Sequence, residues 1–447
     1  MHQPEQPESQ PPSLLIKLVR GAGVALIIQI VSSGVVYGSQ VLLARWMGAT
    51  EYGIYDYVTA VIISCALFAG LGLPNTVLRF IPSYQAHEHW SSLKGIIRGS
   101  WLQTLVISLM VAAIASVIWL RVNETRNFVV YAIPITVGLW ATPIVALINL
   151  QREIVRGCQK ITLAYLPEFI LHPFLLACIA GIWQLFHTLT SVNALWIFII
   201  SGVVILVIQG LWFQQTLDDS IRTAQPKYEL RQWWGVALPL TFMSGSQIIL
   251  SQTDTLMIGA FLNAEQVGIY GAALKTSVWV RFILMSVNSI TAPLISSLYS
   301  QGDRQGLQEL VSTNARWMFY PALVTAIGLV SFSEPVLQLF GSEFTAAKWS
   351  LALLIIGQLV NVGSGSVGYL MTMTGHQNQA AKVMFVAAIV NMILNWVGIK
   401  WFGILGAAFA TAFSMSLWNL WLYRLVTQQI GVFPSIIDSY RARPKEL

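Results

Sequence analysis

The residues of this sequence best suited to chemistry are the charges inside long apolar stretches. Lys275 and Arg281 lie in the apolar run 267–296, and Asp254 lies in the run 235–261. A charge in a membrane core costs about 2.5–3.5 kcal/mol on insertion scales, so each needs a partner or a water-filled cavity. The two cations could hold an anionic cargo group. The structural alternative is a buried ion pair or snorkelling to the surface.

Asp254 has two interpretations. The two runs that carry Asp254 and Lys275 are joined by a short turn and should be antiparallel. Their depths then differ by about 3 Å at 1.5 Å per residue. Opposite charges at similar depth on neighbouring helices favour a salt bridge, which is the interpretation we prefer. In the other interpretation, Asp254 binds a coupling ion or a proton.

Glu168 and His172 lie four residues apart, beside Pro167 and Pro173. On a regular helix this spacing places both side chains on one face. A carboxylate beside an imidazole could move a proton. The alternative is a hydrogen-bonded pair that stabilises the helix where the prolines interrupt it.

Arg152 and Arg156 are also four residues apart, at the end of the apolar run 128–150, and Arg79 follows another apolar run. Guanidinium groups at this position could receive a pyrophosphate from the membrane surface. Charges that set membrane topology, or that bind anionic lipid head groups, have the same pattern.

The sequence offers no catalytic constellation, since it contains no GxSxG motif, phosphate loop, HExxH motif or paired carboxylates at catalytic spacing. Its three cysteines are odd in number and lack metal-site spacing, so we expect inert thiols and neither a metal nor a cofactor. The net charge of +6 comes largely from loops between apolar runs, which indicates membrane topology and not nucleic acid as a partner. We therefore do not expect an enzyme.

The elements that must position these residues are membrane-spanning helices. Hydrophobic residues make up 55% of the 447 and charged residues only 10%, against roughly a quarter charged in soluble domains. A spanning helix needs roughly 20 apolar residues. The sequence predicts about twelve: 22–44, 57–78, 100–120, 128–150, 161–186, 193–216, 235–261, 267–296, 316–333, 349–374, 383–402 and 404–426.

The positive charges predict the orientation. Apart from Lys275 and Arg281, most of the 25 Lys and Arg residues fall at one end of these helices. The opposite end holds Arg45, Arg121, Arg126, Lys348 and Lys400. The rule that cytoplasmic loops are positive places both termini in the cytoplasm of a cell whose plasma membrane holds the protein.

The chain repeats itself. Residues 47–55 match residues 262–270 at an offset of 215, each ending in Gly-Ile-Tyr, and residues 157–159 match residues 375–377 at an offset of 218. These matches fall between equivalent predicted helices and indicate a parallel repeat of two six-helix halves. We expect a disordered tail at 1–13, bundles at 14–216 and 232–428, a linker at 217–231 and a second tail at 429–447.

One segment resembles a known family. Gln252-Thr-Asp254-Thr-Leu-Met-Ile-Gly259, with Phe261-Leu-Asn-Ala-Glu-Gln-Val-Gly-Ile-Tyr270-Gly-Ala-Ala273 after it, is similar to the start of the second half of Wzx-type lipid-linked oligosaccharide flippases. These share a superfamily with the multidrug and toxin extrusion (MATE) transporters and the lipid II flippases. The resemblance covers about residues 14–430. It implies an all-α membrane protein whose two six-helix bundles form a V around a central cavity.

The resemblance also implies a function. In the flippase branch the cargo is an oligosaccharide on a polyprenyl-pyrophosphate carrier, carried by alternating access, and the cavity tends to be cationic. Arg281, Lys275, Arg79, Arg152 and Arg156 are then the cargo-binding candidates. Polysaccharide polymerase and glycosyltransferases are potential partners, together with membrane lipids.

Two departures help to choose the branch. The first run, 22–44, has Gln29 and Gln40 but no acid of the kind that bacterial MATE antiporters often carry. Lipid II flippases typically have fourteen helices, against about twelve here. A MATE-like cation-coupled exporter, a lipid II-type flippase and a scaffold for polysaccharide assembly remain alternatives.

Overall fold

The structure is a computed structural model that describes residues 14–126 and 129–438. The tail expected at 1–13 and residues 439–447 of the second tail lie outside these ranges. The described part of the chain consists of helices joined by short turns and loops, and it contains no strand.

The helices of the N-terminal half and of the linker are α1 Leu14–Gly70, α2 Leu73–Ala86, α3 Trp90–Arg126, α4 Val129–Leu139, α5 Thr142–Gly157, α6 Ile161–Leu166, a π turn Pro167–Leu171, α7 His172–Phe186, α8 Ser191–Gln215 and α9 Asp219–Thr223. Those of the C-terminal half are α10 Leu230–Phe261, α11 Ala264–Ser277, a 3-10 turn Val278–Arg281, α12 Phe282–Ser300, α13 Arg304–Ser331, α14 Ser333–Gln338, a 3-10 turn Ser342–Ala347, α15 Lys348–Gly363, α16 Val367–Met373, α17 Gln377–Phe402 and α18 Ile404–Gln429. We call α1–α8 the N-lobe and α10–α18 the C-lobe.

Length and composition make this an integral membrane protein. Eight of the described helices are long and apolar enough to cross a membrane, and the bent pair Val130–Leu139 and Thr142–Gly157 adds a ninth. Helix α1 holds two crossings, because Gly48 (φ 74°, ψ 171°) breaks it into arms 14–47 and 49–70. With α10 and α13, whose ends are more polar, the chain forms two bundles of six segments, as the sequence predicts.

The second predicted segment differs from the structure. The sequence places it at 57–78, but the second arm of α1 begins at residue 49 and ends at Gly70. Glu51 and Asp56 made this stretch look like a loop. A turn with positive φ at Leu71 and Gly72 then leads into α2, with Pro74 in its first turn.

The packing differs between the two ends of the bundles. At the end that holds the Gly48 kink, both lobes contribute to one hydrophobic cluster, which includes Tyr52, Tyr270 and Phe344. At the other end, which holds residues 216–229 between the lobes, the core divides. One cluster there is built on the N-lobe with the start of α10, and another lies within the C-lobe. The lobes therefore share one core at the Gly48 end, whereas at what we call the linker end only the start of α10 packs against the N-lobe.

Candidate functional site

A cavity of about 440 Å³ lies between the lobes. Both arms of α1, with α10 and α11, build its wall, and its lining is mainly aromatic and polar. The residues that matter here are Tyr37, Gln40, Asp56, Gln252, Lys275 and Trp279. A cavity between two halves of a bundle, lined in this way, can hold a polar group at membrane depth.

An ion pair crosses this cavity from one lobe to the other. Lys275 Nζ of α11 donates to Asp56 Oδ1 of α1 at 2.6 Å, and the ammonium lies 5.3 Å from the centre of the Tyr52 ring. The Lys275 side chain is 27% exposed and that of Asp56 is 14% exposed. Lys275 is thus a paired cation that the cavity can still reach.

The predicted pair of Asp254 with Lys275 is wrong. Asp254 is buried in the C-lobe, where Tyr270 donates its hydroxyl to Asp254 Oδ2 at 2.6 Å and Thr411 of α18 donates to the same oxygen at 3.3 Å. Tyr270 and Lys275 are five residues apart, or about 140° around a helix with 3.6 residues per turn. Because Tyr270 faces Asp254, Lys275 must face elsewhere, and it faces the N-lobe.

Arg281 ends the 3-10 turn Val278–Arg281 in the middle of the C-lobe's second segment. Trp279 and Phe282 line the cavity, but Arg281 is not among the lining residues. Its Nε is buried and has no hydrogen-bond partner in the described part of the chain. The structure therefore places Arg281 behind the cavity wall, with a donor that an anion or water could satisfy.

A second cavity of about 270 Å³ continues towards the linker end, and Ile63 lines both cavities. Arg152 and Glu153 of α5 line it, together with Asn75 of α2 and Thr241 of α10. It therefore also lies between the N-lobe and the C-lobe's first helix.

Arg152 is held by two carboxylates. Its Nη1 donates to Glu168 Oε1 at 2.5 Å and its Nε donates to Glu153 Oε1 at 3.0 Å. Arg156 donates to the other oxygen of Glu153 at 3.0 Å and is half-exposed. The four side chains form one network at the cavity wall, and the network fixes the position of Arg152 there.

Glu168 and His172 do not form the predicted hydrogen bond. Glu168 Oε2 and His172 Nε2 are both buried without a hydrogen-bond partner among the described residues, and His172 packs edge-on against Phe198 at 5.2 Å. In the π turn Pro167–Leu171, the His172 amide bonds the Pro167 carbonyl five residues back. Glu168 Oε1 accepts from Arg152 instead, which holds the carboxylate away from the His172 ring.

Arg79 lies on the exposed face of α2, one turn beyond Asn75. Residues four apart on a helix share a face, so Arg79 lies on the same face of α2 as Asn75, nearer the linker end. Arg152 and Lys275 thus line the two cavities, whereas Arg79 is outside the lining of both.

Comparison with known proteins identifies the family of this chain. Residues 18–299 match the family described as polysaccharide biosynthesis protein. The chain belongs to this family. Residues 239–397 also match the MatE family, so the resemblance seen in the sequence is confirmed.

Named relatives of this family member include a probable low-salt glycan biosynthesis flippase, Agl15, of Haloferax volcanii. It is 25% identical over 404 residues, which cover 89% of this chain and 81% of the relative. Two solved structures share the fold at 13% identity and a TM-score of 0.69. One is the lipid II flippase MurJ in an inward closed conformation, matched over 95% of this chain and 89% of that one. The other is an inward-facing MATE family multidrug transporter, matched over 94% and 100%.

Sequence reasoning missed two acids of the site in this family member. The predicted segments leave Asp56 between two helices, whereas it lies two turns into the second arm of α1. Glu153 lies three residues before Arg156, and an acid and a cation at this spacing are neighbours on a helix. The sequence could have indicated both acids, because each lies within four residues of an apolar run.

Proposed function

We propose that this protein flips a polyprenyl-pyrophosphate-linked oligosaccharide across the plasma membrane for cell-surface polysaccharide assembly. The observation that carries the proposal is the line of cations along the space between the lobes. Arg152 lines the second cavity, Lys275 lines the first, and Arg79 lies exposed on α2 one turn beyond Asn75, in a chain that belongs to a polysaccharide biosynthesis family.

The linker end faces the cytoplasm in this proposal, with both termini on the same side. The excess of Lys and Arg at that end supports the orientation. Lipid-linked sugars made in the cytoplasm would then enter at the end where the two lobes do not share one core. The closed Gly48 end would face outwards, and rocking of the lobes would expose the cavity there.

The anion of the cargo would pass from one cation to the next. Arg156 and the exposed Arg79 would attract the pyrophosphate, and Arg152 would offer a fork of donors that matches two phosphate oxygens. Lys275 would hold it at the deepest point. Arg281, behind Trp279 and Phe282, is the further candidate, and its buried Nε would need the 3-10 turn to move.

Polar and aromatic side chains of the first cavity suit the sugars. Gln40, Gln252 and Tyr37 offer hydrogen-bonding groups and ring faces to a polyhydroxyl ligand, and the polyprenyl tail would stay in the bilayer. The polysaccharide polymerase and the glycosyltransferases of the same biosynthetic pathway are the partners expected for such a transporter. Moving the cargo breaks no covalent bond, so the proposed function is transport and not catalysis.

A coupling ion would bind in the C-lobe or near the π turn. Asp254 is a buried carboxylate whose partners in the described chain are neutral, so a proton or monovalent cation could neutralise it. Glu168 is the second candidate, because its buried Oε2 has no hydrogen-bond partner among the described residues. His172 would join Glu168 only if the Glu168 carboxylate turned away from Arg152.

A MATE-like exporter of organic cations is the second candidate function. The observation that favours it is the presence of an acid beside each cavity cation, Asp56 beside Lys275 and Glu153 beside Arg152. An organic cation could bind either acid if the Lys or Arg moved aside. The two functions differ in which charge of each pair the cargo needs.

Cells that depend on this gene for surface glycan provide the test. Lys275→Ala and Arg152→Ala should each reduce export relative to the amount of the protein in the membrane. Asp56→Asn, which keeps both cations, should reduce it less. The matched control is Arg98→Gln, which removes an exposed cation of α3 that lines neither cavity. Full export in both alanine variants would contradict the proposal.

A further inference from the structure

The two lobes cross at the Gly48 end through a reciprocal contact. A Cβ on Gly53 would overlap the Ala264 carbonyl oxygen, with the carbonyl carbon 2.7 Å away, and a Cβ on Gly268 would overlap the Ala49 carbonyl oxygen. Ala49 and Gly53 correspond to Ala264 and Gly268 at the repeat offset of 215. Each lobe therefore places an alanine and a glycine, four residues apart, against the equivalent alanine and glycine of the other lobe, as in a two-fold interface.

The ion pair departs from this symmetry at the next turn. At the same offset, Asp56 corresponds to Gly271 and Lys275 corresponds to Ala60. A Cβ on Gly271 would overlap Asp56 Oδ2 and would lie 3.4 Å from Lys275 Nζ. Each lobe thus supplies one charge of the pair and, at the equivalent position, a small residue. Gly271 leaves the space that the carboxylate of Asp56 occupies.

The pair can exist only while the lobes are closed at this end. Asp56 and Lys275 belong to different lobes, and their charged atoms are 2.6 Å apart. A separation of the lobes by a few ångströms breaks the hydrogen bond and exposes both charges to water. Other contacts across the same seam are the Glu343 carboxylate with the Ala49 amide at 2.8 Å and Tyr37 with Thr276 at 3.0 Å.

The pair also faces the cavity that would hold the cargo. Asp56 and Lys275 both line it, and the Lys275 side chain keeps about a quarter of its surface exposed. An anion in the cavity can therefore approach the ammonium from the open side. A diphosphate carries more charge than a single carboxylate and can displace it from a shared cation.

We propose that Asp56 and Lys275 form a lock that holds the Gly48 end closed, and that an anionic diphosphate opens it by taking Lys275 from Asp56. This inference rests on the proposed function, and it gives Asp56 a positioning role. Cargo binding then also separates the lobes at the Gly48 end, so a transporter without cargo stays closed at that end. A lone cation in the cavity would bind diphosphate without this coupling.

Distances between spin labels on the two lobes test the lock. Thr188→Cys, in the loop before α8, and Ser342→Cys, before α15, are exposed at the Gly48 end, and the three native cysteines are replaced by alanine. The full-length protein is placed in nanodiscs. Asp56→Asn should shift the population about tenfold towards a longer distance, which corresponds to about 1.4 kcal/mol. The charge swap of Asp56→Lys with Lys275→Asp should restore the closed distance.

Inorganic pyrophosphate is the probe for release. It should lengthen the distance in the otherwise unchanged protein, whereas sodium chloride at the same ionic strength should not. It should have no effect on Lys275→Met, which lacks the cation. The control Glu334→Gln removes an exposed ion pair with Lys348 that lies within the C-lobe, and it should stay closed.

An unchanged closed distance in Asp56→Asn would overturn the lock. A failure of pyrophosphate to open the protein, or an equal response in Lys275→Met, would overturn its release by an anion. Glycan export in cells tests the proposed function separately. Opening by pyrophosphate together with full export in Lys275→Met cells would overturn the proposed cargo and support the lock.

Discussion

Replacing Gly53 by alanine should force the two lobes apart at the Gly48 end. The new methyl group would lie 2.7 Å from the Ala264 carbonyl carbon and 2.8 Å from the Gly268 amide nitrogen. Carbon atoms in contact normally lie about 3.5–4.0 Å apart, and the Ala264 carbonyl oxygen would overlap the methyl group, so the helices must separate by more than about 1 Å. The neighbouring atoms are backbone, which cannot rotate away. Overpacking of this kind costs about 1–3 kcal/mol, or roughly a fivefold to 150-fold shift away from the closed state.

Thiol accessibility measures this shift. Ser33→Cys places a thiol on the first cavity in a protein without native cysteines. An impermeant maleimide added to intact cells should label it several-fold faster in Gly53→Ala. The matched control is Gly38→Ala on the same helix, where an added Cβ meets no atom within 4 Å. Equal labelling of the two glycine variants would refute the argument that the Gly53 crossing closes this end.

Three further predictions concern other parts of the molecule. A cysteine at Asn263, in the turn between α10 and α11, should react with an impermeant reagent on intact cells; labelling only after lysis would reverse the orientation. Arg152→Met should destabilise the folded protein by about 3–5 kcal/mol if the buried Glu168 keeps its charge. Adding Glu168→Gln should recover part of this loss in a thermal-shift assay, whereas additive losses would contradict their pairing. Hydrogen bonds from Tyr84 and Lys227 lower the pKa of Glu229 in the linker. The ionised Glu229 therefore stabilises the fold fully above the usual glutamate pKa, and this stabilisation is lost as the pH falls through the lowered pKa. The melting temperature of purified Glu229→Gln protein should fall less on acidification, and identical pH profiles would contradict this role.

Much of the fold could be predicted from hydropathy and loop charge. The predicted segments 161–186 and 404–426 end within a few residues of the helices in the structure. A long apolar run is stable in a membrane as a spanning helix, so its bounds follow from its length. The break at Gly48 and the turn at Gly72 depend on backbone angles that a hydropathy pattern does not carry. For that reason the start of the second segment was misplaced.

The site was predicted less completely, because sequence spacing gives depth but not direction. Lys275 was identified from its cost in a membrane, yet its partner proved to be Asp56 in the other lobe. Residue counts along the two adjacent helices predict Asp254 as the partner of Lys275, but Asp254 accepts a hydrogen bond from Tyr270 instead. The repeat around Gly53 and Gly268 was visible in the sequence, but only the structure shows that the two copies meet each other.

Flipping by the purified protein is the most direct test of the proposed function. Proteoliposomes would carry a fluorescent polyprenyl-pyrophosphate oligosaccharide, and a membrane-impermeant reductant would report how much of it reaches the outer leaflet. The protein should accelerate its exchange between leaflets, and Lys275→Ala should reduce the rate by tenfold or more, while a fluorescent organic cation should not be moved. Movement of the organic cation, with no exchange of the lipid-linked sugar, would contradict the account.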